Sequence, residues 1–301
     1  MNRQAVDKHK IERPEWLPEE VWPFQIRTAE VDGSPVAHTD EGTGPTLVLV
    51  HDGMWSYLWG QAIERLRDRF RVITLDFPGS GLSPSVDRPV GLESDSRTLE
   101  AFVNALELRE MTLVVHDLGG PVGLGLAARR PDVVTGLVMV NAFAWPPHVR
   151  SLRVMLNLTG SSPMRGLNAG TNLMARATSS RFGVGRHLSE AARKAFVGPF
   201  RQSKEPRRRF HLLMRSVHQE SEYLARVEEA LRTTLNDRPV LTVFGERNDP
   251  FRFQARFKDI FSDVTEMMIP KGYHFPMCDD PDGFADAVVE WHAKAHPQST
   301  P

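Results

Sequence analysis

The chain contains very little cysteine, with Cys278 as the single example among 301 residues. One cysteine cannot form an internal disulfide, and it fits no multi-cysteine zinc pattern. An excess of one charge sign is also lacking, because 37 Lys and Arg stand against 38 Asp and Glu for a formal net charge of −1. A chain without a basic excess is a poor candidate for binding nucleic acid or an anionic membrane surface. We therefore expect neither as a partner.

Long apolar runs are missing as well. No apolar stretch approaches the roughly 20 residues that are needed to span a bilayer. The polar start MNRQAVDKHK lacks the apolar run of a signal peptide. With 41% hydrophobic and 25% charged residues, the composition is that of a globular protein rather than a disordered, collagen-like or coiled-coil one. These features predict a cytoplasmic protein with a sizeable core; they leave its oligomeric state open.

Apolar runs and amphipathic segments alternate in the first half of the chain. The piece VDGSPVAHTDEGTG predicts two short strands separated by Asp-Gly. The continuous runs in PTLVLVHDG, RVITLDFPG, MTLVVHD and GLVMVNA then predict strands that are buried on both faces. Helical segments separate these runs, which is typical of a parallel sheet with right-handed crossovers.

The pattern changes after residue 145. Residues 146–234 contain no strand-like run, only helical pieces rich in Arg, Met and Leu, and strand-like segments return at PVLTVFGERND and DVTEMMIPKGYHF. The sequence thus predicts an α/β fold with a mostly parallel sheet and helices on both faces. Residues 1–145 and 235–301 would form the core, and 146–234 a helical cap. Such a cap would lie at the carboxyl ends of the strands, where open α/β sheets bind ligands.

The segment VVHDLGG, with Asp117 at its centre, contains the clearest chemical signal. An apolar strand ends at a residue with an oxygen nucleophile, and two glycines follow before a helix, which is the layout of a nucleophile elbow. The glycines allow the strand and helix backbones to approach closely. The helix N-terminus supplies N–H groups and positive potential for a developing oxyanion. Mere capping of the helix by Asp117 is the competing interpretation.

A carboxylate nucleophile predicts a particular chemistry. It can displace a leaving group from saturated carbon to form an alkyl ester, which water then hydrolyses with the help of a general base. His274, directly after the last strand, is the candidate base. Asp249 is the candidate acid that orients it, with Glu246 less favoured. The chain order nucleophile, acid, base is that of the α/β-hydrolases.

The remaining site predictions concern the loops beside the elbow. The N–H of Leu118 is expected to form one half of the oxyanion hole, and that of Gly53 or Asp52 the other. Trp55 and Trp145 are candidate substrate-binding residues. The tryptophan at 55 could equally belong to the core.

The motifs DEGTGPTLVLVH, WSYLW, LDFPGSGLS, VVHDLGG and VMVNA occur in an order that resembles the haloalkane dehalogenases of the α/β-hydrolase superfamily. The resemblance covers about residues 20–145 and 235–296. It implies a triad of Asp117, His274 and Asp249, no cofactor and no metal, and a small apolar substrate in a capped pocket. Asn141 lies where one branch of the family has its acid as glutamate, which places the acid after the later strand here.

Two departures from the family pattern concern the halide. Family members usually have tryptophan after the nucleophile, with its indole N–H on the leaving halide, whereas this chain has Leu118. The loop that begins at His51 is one residue shorter and lacks the family's side-chain halide ligand. Each lost charge-assisted hydrogen bond is worth roughly 1.5–3 kcal/mol. Dehalogenation should therefore be slow unless another tryptophan, such as Trp59, substitutes.

Other activities of the same fold stay open. Epoxide hydrolases resemble the chain almost as well, but they need cap tyrosines to protonate the opening oxygen, and Tyr223 is the only tyrosine in the predicted cap. Fluoroacetate-type dehalogenases usually have arginine where Leu118 stands. A non-catalytic ligand-binding homologue, and an oxygenase-like or light-emitting relative, are further alternatives.

Overall fold

A computed structural model of the chain describes residues 11–51, 53–181, 183–184 and 187–297. Eight strands form one sheet in the order β1-β2-β4-β3-β5-β6-β7-β8. The strands are β1 (Arg27–Val31), β2 (Ser34–Glu41), β3 (Thr46–Val50), β4 (Arg71–Leu75), β5 (Met111–His116), β6 (Val134–Val140), β7 (Val240–Gly245) and β8 (Val264–Ile269).

The direction of the strands matches the sequence pattern. The hairpin of β1 and β2 pairs antiparallel, and β2 joins the sheet antiparallel to β4. All pairings from β4 through β8 are parallel. The predicted mostly parallel α/β sheet is therefore confirmed.

Thirteen α-helices lie in the described residues. They are α1 (Gly60–Leu66), α2 (Leu92–Ala105), α3 (Gly119–Arg129), α4 (Arg150–Thr159), α5 (Ser162–Thr171), α6 (Leu173–Thr178), α7 (Glu190–Phe196), α8 (Gly198–Gln202), α9 (Glu205–Gln219), α10 (Ser221–Arg232), α11 (Phe253–Ile260), α12 (Pro276–Asp279) and α13 (Pro281–Ala295). None of these helices is both long enough and apolar enough to cross a membrane.

The core occupies both faces of the sheet. Along β3, Val48 and Val50 belong to one apolar cluster, and Leu47 and Leu49 belong to a second. Successive side chains of a strand point to opposite faces, so a strand that is covered on both sides must be apolar at every position. This requirement explains the unbroken Val and Leu run in the sequence.

Between β6 and β7 the described residues contain seven α-helices, α4 to α10, and no strand. The last of them packs on the core, because the Tyr223 hydroxyl of α10 donates to the Pro121 carbonyl of α3 at 2.8 Å. Helix α9 contacts α2 of the core as well as α4 and α5. The inserted helices thus lie on the same side of the core as the end of β5, where the elbow stands.

Candidate active site

Asp117 occupies a sharp turn between β5 and α3. Its φ is +49°, in the left-handed region that a non-glycine residue seldom adopts. A Cβ on Gly119 would lie 2.4 Å from the Val50 carbonyl oxygen, and one on Gly120 would lie 2.4 Å from the Phe143 carbonyl oxygen. Only glycine permits these approaches, and they hold the Asp117 carboxylate above the end of the sheet.

A cavity of about 400 Å³ lies over the elbow. Asp117 and His274 are on its wall. The rest of the wall is mainly apolar and comes from both the core and the inserted helices, including Leu118, Phe143, Phe244, Leu152, Leu156 and Phe210. A small apolar molecule fits such a space, since ligand sites are mostly apolar with a few converging polar groups.

The structure brings Asp117 and His274 together. Nε2 of His274 lies 3.7 Å from Oδ2 of Asp117. Burial raises the pKa of the Asp117 carboxyl, but interaction with His274 outweighs burial and holds this pKa below its usual range. The Asp117 side chain is therefore a carboxylate at neutral pH.

His116 lies beneath this pair. Its Nε2 is 2.9 Å from the His274 carbonyl oxygen. Burial, followed by the charge of His274, lowers the pKa of His116 to about 3. An imidazole that is neutral near pH 7 at this position supports the loop of His274 through this contact.

The other nitrogen of His274 does not face either predicted acid. Nδ1 lies 3.1 Å from Nδ2 of Asn248. The carboxylate of Asp249 instead accepts hydrogen bonds from the N–H groups of Phe253 and Gln254 at the start of α11, at 2.6 and 3.0 Å. Glu246 is exposed and accepts from the Lys271 N–H at 2.6 Å.

Sequence reasoning missed Asn248 because only carboxylates were considered as partners of the histidine. Asn248 directly precedes Asp249 in the same loop, so the loop itself was identified and the residue within it was not. Asn141, at the end of β6, is likewise an amide, and it donates to the Tyr273 carbonyl and accepts from the Gly245 N–H. Both amides hold the loops around His274 in place.

Two of the predicted oxyanion donors, Leu118 and Gly53, lie close to Asp117 or to each other. The Leu118 N–H adjoins the Asp117 carboxyl and contributes to lowering its pKa. Gly53 has a φ of +87° on the loop after β3, and a Cβ there would be 3.6 Å from the Leu118 side chain. Asp52, the alternative donor, lies outside the described residues.

The structure places the two candidate tryptophans away from the cavity. The Trp55 indole is fully buried, and its Nε1 donates to the Phe196 carbonyl at 2.9 Å. Trp145 is fully buried against Phe257 and beneath the Arg256 guanidinium. Neither is among the cavity-lining residues, so both are corrected here to core residues. Large aromatic side chains occur both in hydrophobic cores and in ligand pockets, and the sequence pattern does not distinguish the two locations.

No tyrosine lines the cavity either. All three tyrosines of the chain are among the described residues. The Tyr223 hydroxyl donates a hydrogen bond to α3, and the Tyr273 hydroxyl accepts one from Arg247. Tyr57 stacks against Trp22 and Trp55. An epoxide-opening site built from tyrosine hydroxyls is therefore missing from this cavity.

Comparison with known proteins identifies the family. A family described as alpha/beta hydrolase fold matches residues 45–281. The match covers well over half of the chain, and the chain belongs to this family.

Within the family, the chain is similar to haloalkane dehalogenases. It is 28% identical over 279 residues to haloalkane dehalogenase 2 of Mycobacterium tuberculosis, which spans 90% of this chain and 96% of that relative. A cis-3-alkyl-4-alkyloxetan-2-one decarboxylase of Shewanella oneidensis is 33% identical over 190 residues, or 59% of this chain and 58% of that one. The crystal structure of a haloalkane dehalogenase from Bradyrhizobium elkani superposes with a TM-score of 0.80 over 92% of this chain and all of the other, at 21% identity, which shows the shared fold. The prediction of a haloalkane dehalogenase-like hydrolase is confirmed at this level.

Proposed function

We propose that the protein is a cofactor-independent hydrolase that uses Asp117 as a nucleophile on a small apolar substrate. The Asp117 carboxylate attacks a saturated carbon, the leaving group departs with the bonding electrons, and an alkyl ester forms on the enzyme. His274 then takes a proton from water, which attacks the ester carbonyl of Asp117. The Leu118 N–H stabilises the oxyanion. The observation that carries this proposal is an ionised carboxylate on an elbow, beside an imidazole, in an apolar cavity.

The side chain next to His274 limits the second step. A general base needs Nε2 free, so the ring proton must be on Nδ1 and must find an acceptor there. Asn248 offers an amide, which can present an oxygen or an NH2 group but carries no charge. A carboxylate would stabilise the imidazolium that forms when water is deprotonated. We therefore infer that ester hydrolysis is slow relative to ester formation.

A second candidate reaction follows from two features, the amide beside His274 and the absence of a side-chain donor at Leu118. In an oxetan-2-one, attack of Asp117 at C4, the saturated ring carbon bonded to the ring oxygen, breaks the C4–O bond and frees C2 as a carboxylate on C3. Loss of CO2 from this carboxylate then forms a C=C bond and returns the electron pair of the ester C–O bond to Asp117. The sequence converts the lactone to an alkene and CO2 with no free halide and no water. The name of the relative from Shewanella oneidensis, a cis-3-alkyl-4-alkyloxetan-2-one decarboxylase, contains this class of substrate.

Replacing His274 with alanine is expected to trap the ester. His274→Ala removes the base but leaves the nucleophile, so incubation with a pool of haloalkanes should add the mass of one alkyl group. The measurement is intact-protein mass spectrometry, with the double variant Asp117→Asn, His274→Ala as the control that must stay unlabelled. Epoxides and oxetan-2-ones are tested as separate pools, and alkene and CO2 are measured in the latter. No adduct and no alkene from any pool would contradict the nucleophile assignment.

Replacing Asn248 with aspartate is expected to accelerate ester hydrolysis by about 10²–10⁴-fold, because the new carboxylate stabilises the imidazolium. The new negative charge favours the protonated ring, and since hydrolysis requires the neutral ring, the midpoint of the variant's pH–rate profile should move up by about 1 unit or more. The measurement is single-turnover decay of the ester across pH.

Asp249→Asn is the matched control for this prediction. It changes one neighbouring carboxylate to an amide in the same loop, and it should leave the midpoint of the pH profile where it is. If Asp249→Asn moved the midpoint and Asn248→Asp did not, the partner of His274 would be Asp249, as the resemblance implied.

A further inference from the structure

The charge of the chain is strongly segregated, although its total is near zero. Residues 146–189 contain six arginines and neither aspartate nor glutamate. The near-neutral total that argued against anionic partners thus hides a basic region. Four of its arginines, Arg150, Arg153, Arg165 and Arg176, lie exposed on α4, α5 and α6. In the part of the chain that the structure describes, none of these four forms an ion pair.

The same three helices expose apolar side chains. Of the six large apolar residues that are exposed in the described residues, five lie here, namely Val154, Met155, Leu158, Leu167 and Leu173. Leu158 is 62% exposed and Val154 is 50% exposed. Helix α4 packs against α5, and α5 packs against α6, so these side chains belong to one surface. We call this surface the apolar patch.

The α4 helix shows how the patch is built. Its inward side chains, Leu152 and Leu156, are buried at the cavity, while Val154 and Leu158 point outward where polar residues would be usual. A surface helix normally turns charged or polar residues to solvent. Clustered exposed apolar residues mark an interaction site.

The arginines decide which partner fits. A second copy of the chain would bring two basic surfaces together without a single acidic residue from this region to pair with them. An anionic lipid surface instead offers negative headgroups for the arginines and an apolar interior for the side chains between them. We propose that the apolar patch docks on an anionic lipid bilayer, in the interfacial plane.

The apolar patch adjoins the cavity, so docking would bring the cavity close to the lipid. Met155 lines the cavity and is also 43% exposed within the patch. Docking therefore places this wall of the cavity against the lipid. An apolar substrate that partitions into the bilayer would enter without crossing bulk water.

Vesicle flotation of the full chain tests the proposal, with vesicles of phosphatidylcholine alone and of phosphatidylcholine and phosphatidylglycerol in equal amounts. The wild type should float with the anionic vesicles at low salt and not with the neutral ones. Raising the salt should weaken binding, since exposed charges are screened. Absence of flotation with anionic vesicles, or equal flotation with both, would overturn the proposal.

Two triple variants separate the contributions. Arg150→Gln, Arg153→Gln, Arg165→Gln and, separately, Val154→Ser, Leu158→Ser, Leu167→Ser should each weaken binding by about tenfold or more. A control variant loses the same amount of charge at exposed positions outside the inserted helices, through Arg69→Gln, Arg109→Gln and Lys294→Gln. It should bind as the wild type does. If the serine variant bound as tightly as the wild type, the region would serve an acidic macromolecule rather than a bilayer. The readout needs no turnover, so its failure is distinct from failure of the proposed reaction.

Discussion

Asp117→Asn is expected to lower kcat/KM by roughly 10⁴-fold or more, because an amide cannot form the alkyl ester of the proposed reaction. The replacement has nearly the same shape, and asparagine tolerates a left-handed φ such as the +49° found here. The fold should therefore survive, and the loss can be assigned to chemistry.

Two measurements distinguish a loss of chemistry from a loss of fold in this variant. Thermal unfolding should show a Tm close to that of the wild type, and steady-state assays with the substrate pool that labels His274→Ala should show no turnover. Asp117→Ala is the second variant, which also removes the polar group from the side chain. Turnover by both variants at near wild-type rate would mean that Asp117 only caps α3, which is the plain structural interpretation of the sequence.

The second large effect is expected at a buried ion pair between the inserted helices and the core. Arg209 of α9 donates to the Asp95 carboxylate of α2 at 2.5 Å, and both side chains are only 4% exposed. The guanidinium also donates to the Pro78 carbonyl and lies over the Phe77 ring. Removing one member leaves the other charge buried without its main partner. Asp95→Ala should therefore lower the free energy of unfolding by about 3–5 kcal/mol.

Against a typical stability of about 5–15 kcal/mol, such a loss would be readily visible in urea unfolding. The double variant Asp95→Leu, Arg209→Met is the informative control, because it removes both charges and fills the space with apolar side chains. It should be more stable than Asp95→Ala, which would make the two changes strongly non-additive. An Asp95→Ala loss below about 1 kcal/mol would show that other contacts fasten α9 to the core.

Most of the fold could be predicted from local patterns. Runs such as TLVLV and MTLVVH specify strands covered on both faces wherever they occur, and the helical segments between them leave parallel pairing as the economical arrangement. The elbow is also visible as a local motif, since Gly119 and Gly120 come two and three residues after Asp117, although the carbonyl oxygens that exclude a Cβ at these glycines belong to the distant residues Val50 and Phe143. His274 was identified by its place after the last strand, which the parallel order brings near the elbow.

The sequence by itself therefore determined the sheet, the elbow and the placement of Asp117 beside His274, because each depends on residue type at short range or on strand order. Only the tertiary structure decided which loop residue faces His274. Asn248 and Asp249 are adjacent, and the turn directs one side chain to the imidazole and the other to the N-terminus of α11. The same holds for Trp55, whose burial depends on residues about 140 positions away. Contacts between distant segments are set by packing of the whole chain, and a one-dimensional pattern does not contain them.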